Sequence, residues 1–174
     1  MRKMGWRDRL EMKEFDIYSI DEIYKLLHCH SSFGKQLQGI KIAKELDDLS
    51  LLILPCANGE SKLLWDNCAR ALYEISDDRL EQYLPSLLEW LQDFNWPGSL
   101  IILDRLKVFS GEKLKYPFIK FVNYAINLKN EEGLMWLDNL SELLDNEELK
   151  TELPDEILVT LQKHYHNNAW WYEE

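Results

Sequence analysis

The chain has 174 residues, 46% apolar and 29% charged, which suits one folded domain with a sizeable core and excludes a disordered polymer. Seven glycines and five prolines are few for the many turns of an all-β protein, so long helices are expected. The net charge is −11, and residues 131–174 carry −10 of it, with twelve acidic residues against Lys150 and Lys163. Such a segment repels nucleic acid and attracts basic partners, or simply keeps the protein soluble.

The chain opens on "MRKMGWRDRLEMKEF", which is basic but lacks the apolar centre of a secretory signal. Residues 1–18 read as a basic N-terminal extension and 19–174 as a single helical domain. No stretch approaches the roughly 20 apolar residues that cross a bilayer, so no membrane contact is expected. Cys29, Cys56 and Cys68 are scattered and form no CxxC pair; they read as reduced thiols of a cytoplasmic protein.

Ile20, Ile23, Tyr24 and Leu27 form the first helical stripe, with Ser19 and Glu22 spaced as a capping box. A second helix is predicted over Lys35 to Leu46, with Ile42, Ala43 and Leu46 inward and Gly39 allowing a close helix approach. "LSLLILP" from Leu49 to Pro55 reads as a buried connector. Asn58-Gly59 marks a turn. Leu64, Cys68, Ala71, Leu72 and Ile75 make the next stripe. Leu84, Leu87, Leu88 and Leu91 make the cleanest one, with Pro85 in its first turn, where a missing N–H costs nothing. Ser99 to Phe109 is apolar on so many sides that a central helix is expected. Three further stripes follow: Phe118 to Leu128, then Leu134, Leu137, Leu140 and Leu144, then Ile157, Leu158, Leu161 and Tyr165. The class is all-α: about eight helices in antiparallel pairs, forming a short curved α-solenoid or bundle.

Between the leucine helix and the apolar helix lies "EWLQDFNWPGS", Glu89 to Ser99. It reads as a structural corner built from Trp90, Asp93, Asn95, Trp96, Pro97 and Gly98. Asn95 suits a cap or an Asx-turn, and Pro97 drives Trp96 out of the α region. Glu89 and Asp93 share the face opposite the leucines.

Leu84, Pro85, Leu87, Leu88, Leu91 and Asp93 resemble the "LPxLLxxLxD" first helix of a HEAT-type repeat. The chain departs from that family at Gly98-Ser99, where Val-Arg is usual, so the Asp–Arg ladder between successive repeats is not expected. Leu84 to Pro97 also resemble a small bacterial domain family of unassigned function with the hallmark "LPxLLEWLQDxNWP". Arg105-Leu106 and "WDNCARALYEISDD" (Trp65 to Asp78) fit it too, over about residues 40–110. That resemblance implies a HEAT-like helical fold and an immunity-type role against toxins. It brings no catalytic residues.

"HCH", His28 to His30, suggests metal ligands. On a helix, however, residues two apart point about 200° from one another and cannot chelate together. "HYH", His164 to His166, fails in the same way, although the two pairs would form a zinc site if they met in space. On a helix Cys29 does not face its neighbouring histidines, and Cys68 lies on an apolar stripe. The adjacent carboxylates Asp47-Asp48, Asp77-Asp78, Glu131-Glu132 and Glu147-Glu148 suit helix starts better than a hydrolytic cleft. No phosphate loop, GxSxG or HExxH occurs. No catalytic residue, metal or cofactor is therefore expected.

From Arg105 to Lys129 there are six basic residues and only Glu112 acidic, an excess that either meets nucleic acid or pairs with the acidic third. The favoured reading is a protein-binding module for a basic partner, with no nucleic acid. Its contact residues would be Asp138, Glu142, Asp145, Glu147, Glu148, Trp170 and Trp171. An enzyme (a metal-assisted hydrolase or a nucleobase-acting repeat protein) and a structural scaffold are the alternatives.

Overall fold

The computed structural model describes residues 18–53 and 61–166. Among them every regular element is helical, as the periodicity predicts. In chain order these are α1 Ile20–Leu27, α2 Phe33–Ala43, α3 Lys62–Tyr73, α4 Asp77–Leu80, α5 Leu84–Trp90, α6 Ser99–Lys107, α7 Gly111–Leu128, α8 Glu131–Ser141, α9 Glu147–Glu152 and α10 Asp155–Gln162. Short 3-10 turns occupy Leu49–Leu52, Glu81–Tyr83 and Glu142–Asp145. The elements beyond the eight expected include α4 and α9, whose four and six residues are too few to display a stripe.

Local chemistry sets the boundaries. At α1 the Ser19 N–H donates to the Glu22 carboxylate at 2.8 Å and the Glu22 N–H donates back to Ser19 Oγ at 3.3 Å, the reciprocal capping box. Gly39 presses on α1, where a Cβ would lie 2.9 Å from the Leu26 Cβ and 3.0 Å from the Leu27 nitrogen. The apolar run after α2 is a 3-10 turn that buries Leu49 and Leu52.

The helices pack as neighbouring pairs around one continuous core. Helix α3 sits against both α2 and α6, α6 packs on the Glu142–Asp145 turn, and α7 touches α5, α8 and α9. Two stripes differ from expectation. Leu100 on α6 is 46% exposed, so that helix is not covered all round; Ile102, Leu103 and Leu106 face inward. On α8, Leu134 is 55% exposed while Trp136 is buried. Gly133 sets that rotation. A Cβ there would lie 2.5 Å from the Ala125 carbonyl oxygen, so this face meets the α7 backbone and Leu134 turns outward.

Three buried asparagines tie the pairs together. Asn67 Nδ2 donates to the Leu27 carbonyl at the end of α1, 2.7 Å away. Asn139 Nδ2 donates to the Leu91 and Gln92 carbonyls after α5, at 2.9 and 3.1 Å. Asn146 Nδ2 donates to the Leu106 and Phe109 carbonyls around the end of α6, at 2.9 and 2.8 Å. The last carbonyls of a helix have no intrahelical donor, and burying them unpaired is costly. Each amide therefore satisfies one helix end from another element.

Candidate functional site

The corner after α5 uses its polar groups internally. Trp90 is fully buried and its Nε1 donates to the Pro97 carbonyl at 3.1 Å. Trp65 stands edge-on to both Trp90 and Trp96, with ring centroids 6.0 and 5.7 Å apart. Gly98 adopts φ 80°, and a Cβ there would lie 2.6 Å from the Ala69 Cβ. Asp93, not Asn95, is the turn acceptor: its Oδ1 receives the Asn95 backbone N–H at 2.8 Å and the Asn95 amide at 2.9 Å. Helix α5 stops at Trp90, one residue short of Leu91, the last leucine of its predicted stripe, because this turn claims the next residues.

Much of the acidic third is tied down by its own chain. Asp138 Oδ1 lies 2.7 Å from His164 Nδ1. Glu142 is only 1% exposed; it accepts the His166 N–H at 3.1 Å and lies 3.3 Å from His166 Nδ1. Asp145 binds Lys107 at 2.8 Å and accepts from the Tyr165 hydroxyl. Partial burial pushes the Asp145 carboxyl upward, but Lys107, Tyr165 and His166 outweigh that, and its pKa falls below the ordinary aspartate value. Glu142 thus has almost no surface to offer a partner. Glu147 and Glu148 are exposed in the first turn of α9, and Trp170 and Trp171 lie outside the described residues.

The paired carboxylates stand at helix starts. Asp77-Asp78, Glu131-Glu132, Glu147-Glu148 and Asp155-Glu156 occupy the first turns of α4, α8, α9 and α10, where the helix dipole favours negative charge. Four of the six basic residues between Arg105 and Lys129 are paired. Arg105 meets Asp77, Lys107 meets Asp145, Lys113 meets Asp78 and Glu81, and Lys115 meets Glu152. The Asp78 and Glu81 carboxylates hold the Lys113 ammonium pKa above its usual value, and Lys113 in turn lowers that of Asp78.

A groove of about 520 Å³ with mixed chemistry lies between α5 and α7, reaching Trp136 of α8. Pro85, Glu89 and Gln92 line one side; Lys120, Phe121, Asn123, Tyr124 and Asn127 line the other. Trp136 is 3% exposed and takes Phe121 and Tyr124 edge-on at 5.4 and 5.8 Å. Its buried Nε1 finds no hydrogen-bond acceptor among the described residues. The Asn127 amide donates to the Asn123 carbonyl at 2.8 Å. The lining offers aromatic faces, side-chain amides, one acid and one base. Phe121 lies within the predicted stripe from Phe118 to Leu128 and packs partly buried against the core, whereas Tyr124 lies off that stripe. The available signal was Tyr116, Lys120 and Tyr124, an i, i+4, i+8 stripe of aromatics and cation on the outer face of α7; the two tyrosines are 76% and 58% exposed.

His28 to His30 require a correction. Helix α1 ends at Leu27 with His28 as its C-cap, at extended ψ 132°. The three residues lie in a turn, so the helical geometry that separates neighbouring side chains does not apply. The candidate ligand atoms of His28, Cys29 and His30 all lie within 4.8 Å of one another.

Fold and surface together define an all-helical domain with a groove lined by aromatics and amides. The chain belongs to the DUF5071 family, a domain of unknown function, whose family model matches residues 65–163. That span includes the corner and the groove and reaches further toward the C-terminus than the expected 40–110. No curated protein and no solved structure matches significantly.

Proposed function

We propose that the domain is a protein-binding module that holds an extended segment of its partner in the groove between α5 and α7. The observation that carries this reading is the chemistry of the groove. Tyr124 and the partly buried Phe121 offer aromatic faces over a floor formed by the buried Trp136, while Gln92, Asn123 and Asn127 can pair with a peptide backbone. Aromatic residues of this kind are enriched where proteins recognise one another. The helix pairs are read as HEAT-like, with the groove on the exposed face of one pair. In this reading Asp145, Glu147 and Glu148 steer a basic partner toward the domain, as an immunity-type protein would meet a basic toxin, and Trp170 and Trp171 add contact area. Asp138 and Glu142 act mainly by holding residues 164–166.

The test is a parallel capture from source-cell lysate with the wild-type chain and a Tyr124→Ala, Asn127→Asp double variant, eluted by a salt gradient. A stoichiometric partner retained by the wild type and lost by the variant supports the groove. Equal capture by both removes the groove from the interface. No partner for either chain rejects the binding module.

A further inference from the structure

We propose that His28, Cys29 and His30 form a binding site for a divalent transition-metal ion of the zinc class. Their donor atoms lie within 4.8 Å of one another. A tetrahedral zinc ion with Zn–N near 2.0–2.1 Å and Zn–S near 2.3 Å needs its donors about 3.3–3.6 Å apart. The difference, at most about 1.5 Å, is within the swing of surface side chains, and Cys29 and His30 are exposed.

The backbone beneath the donors is fastened. The Cys29 N–H donates to the Leu63 carbonyl and the Ser31 N–H to the His28 carbonyl, both at 2.9 Å. Gln36 Nε2 donates to the Cys29 and Ser31 carbonyls at 2.9 and 2.6 Å. Ser31 Oγ donates to the Lys25 carbonyl at 2.6 Å. A metal would therefore order three side chains, not a loop. The His30 N–H donates to His28 Nδ1 at 3.2 Å; that nitrogen is therefore unprotonated, and a metal bound there would take the place of this hydrogen bond, since a ring nitrogen has one in-plane lone pair.

Two imidazoles and one thiolate suit zinc-class ions and disfavour magnesium and calcium, which want oxygen donors. Three protein donors leave the fourth position to water or to an incoming ligand.

The experiment is a Co²⁺ titration of the reduced full chain, followed by absorbance and then by Zn²⁺ displacement. One Co²⁺ per chain with a thiolate-to-cobalt charge-transfer band, bleached by Zn²⁺, is expected. Cys29→Ser should abolish the band. His28→Gln and His30→Gln should each weaken binding at least ~10-fold, since disturbing even an outer partner of a metal ligand costs 10–100-fold. Cys56→Ser and His164→Gln should leave the titration unchanged. Circular dichroism confirms that each variant is folded. No band in the wild type, a band surviving Cys29→Ser, or one lost in Cys56→Ser or His164→Gln overturns the site.

Discussion

Arg105 on α6 and Asp77 at the start of α4 form an ion pair that closes the middle of the bundle. The guanidinium also donates to the Ile75 carbonyl at 2.9 Å and lies 5.0 Å from the Phe109 ring. Asp77 Oδ2 accepts the Ser110 N–H at 2.8 Å, so one carboxylate joins α4, α6 and the start of α7. Arg105 is 5% exposed. Removing one partner of such a pair leaves the other charge poorly compensated. Arg105→Ala should destabilise the domain by about 3 kcal/mol in urea unfolding. A loss below about 1 kcal/mol would show that the pair behaves like a surface ion pair.

Asp145 gives the stability a pH dependence of known sign. Its folded pKa is below its unfolded value because Lys107, Tyr165 and His166 outweigh its partial burial. The stabilisation is therefore present above the unfolded value, near pH 4, and is lost as pH falls through the folded pKa. Midpoints measured across the acid range should fall less steeply for Asp145→Asn than for the wild type. Parallel curves would remove Asp145 from the acid response.

The buried asparagines should resist apolar replacement. Asn139→Leu deprives the Leu91 and Gln92 carbonyls of their donor and forces a new shape into the core. A cost of about 1–3 kcal/mol follows from the orphaned acceptors. Asn139→Asp, which loses the donor while keeping the size and sets a carboxylate against the same two carbonyl oxygens, should cost at least as much. Chemical denaturation of both variants checks this; an unchanged Asn139→Leu stability would mean that water satisfies those carbonyls.

Two glycines should respond in opposite directions. A Cβ on Gly111 would lie 2.3 Å from the Leu149 nitrogen, whereas one on Gly34 meets nothing within 4 Å. Gly111→Ala should push α7 off α9 and cost about 1–3 kcal/mol. Gly34→Ala, on an exposed helix turn, should stabilise by up to ~1 kcal/mol. Thermal melts of both separate a packing effect from a propensity effect.

The thiols should differ in reactivity. Burial pushes the Cys68 thiol up to about 12, leaving roughly one thiolate in ten thousand at pH 8. Cys29 is exposed. Brief iodoacetamide treatment followed by peptide mass analysis should modify Cys29 in the native protein and Cys68 only after unfolding. Native labelling of Cys68 would reveal local opening of α3.

The sequence by itself determined the all-helical class, the stripes of α1, α3 and α5, the capping box at Ser19 and the helix-start placement of the acidic pairs. Those features depend on residues within one or two turns of each other, and local spacing records them. The fate of the acidic third was not local. Asp138, Glu142 and Asp145 meet residues 164–166, 20 to 26 positions away, and no spacing rule reports that encounter. The same holds for the asparagine ties, which join elements 37 to 48 residues apart. The turn at His28 to His30 was hidden for a different reason. Its chemistry depends on where α1 stops, and one residue of helix more or less decides whether neighbouring side chains diverge or converge. The groove is likewise tertiary: Tyr124 and Glu89 lie on separate helices, and only the packing of α7 against α5 and α8 brings their surfaces together.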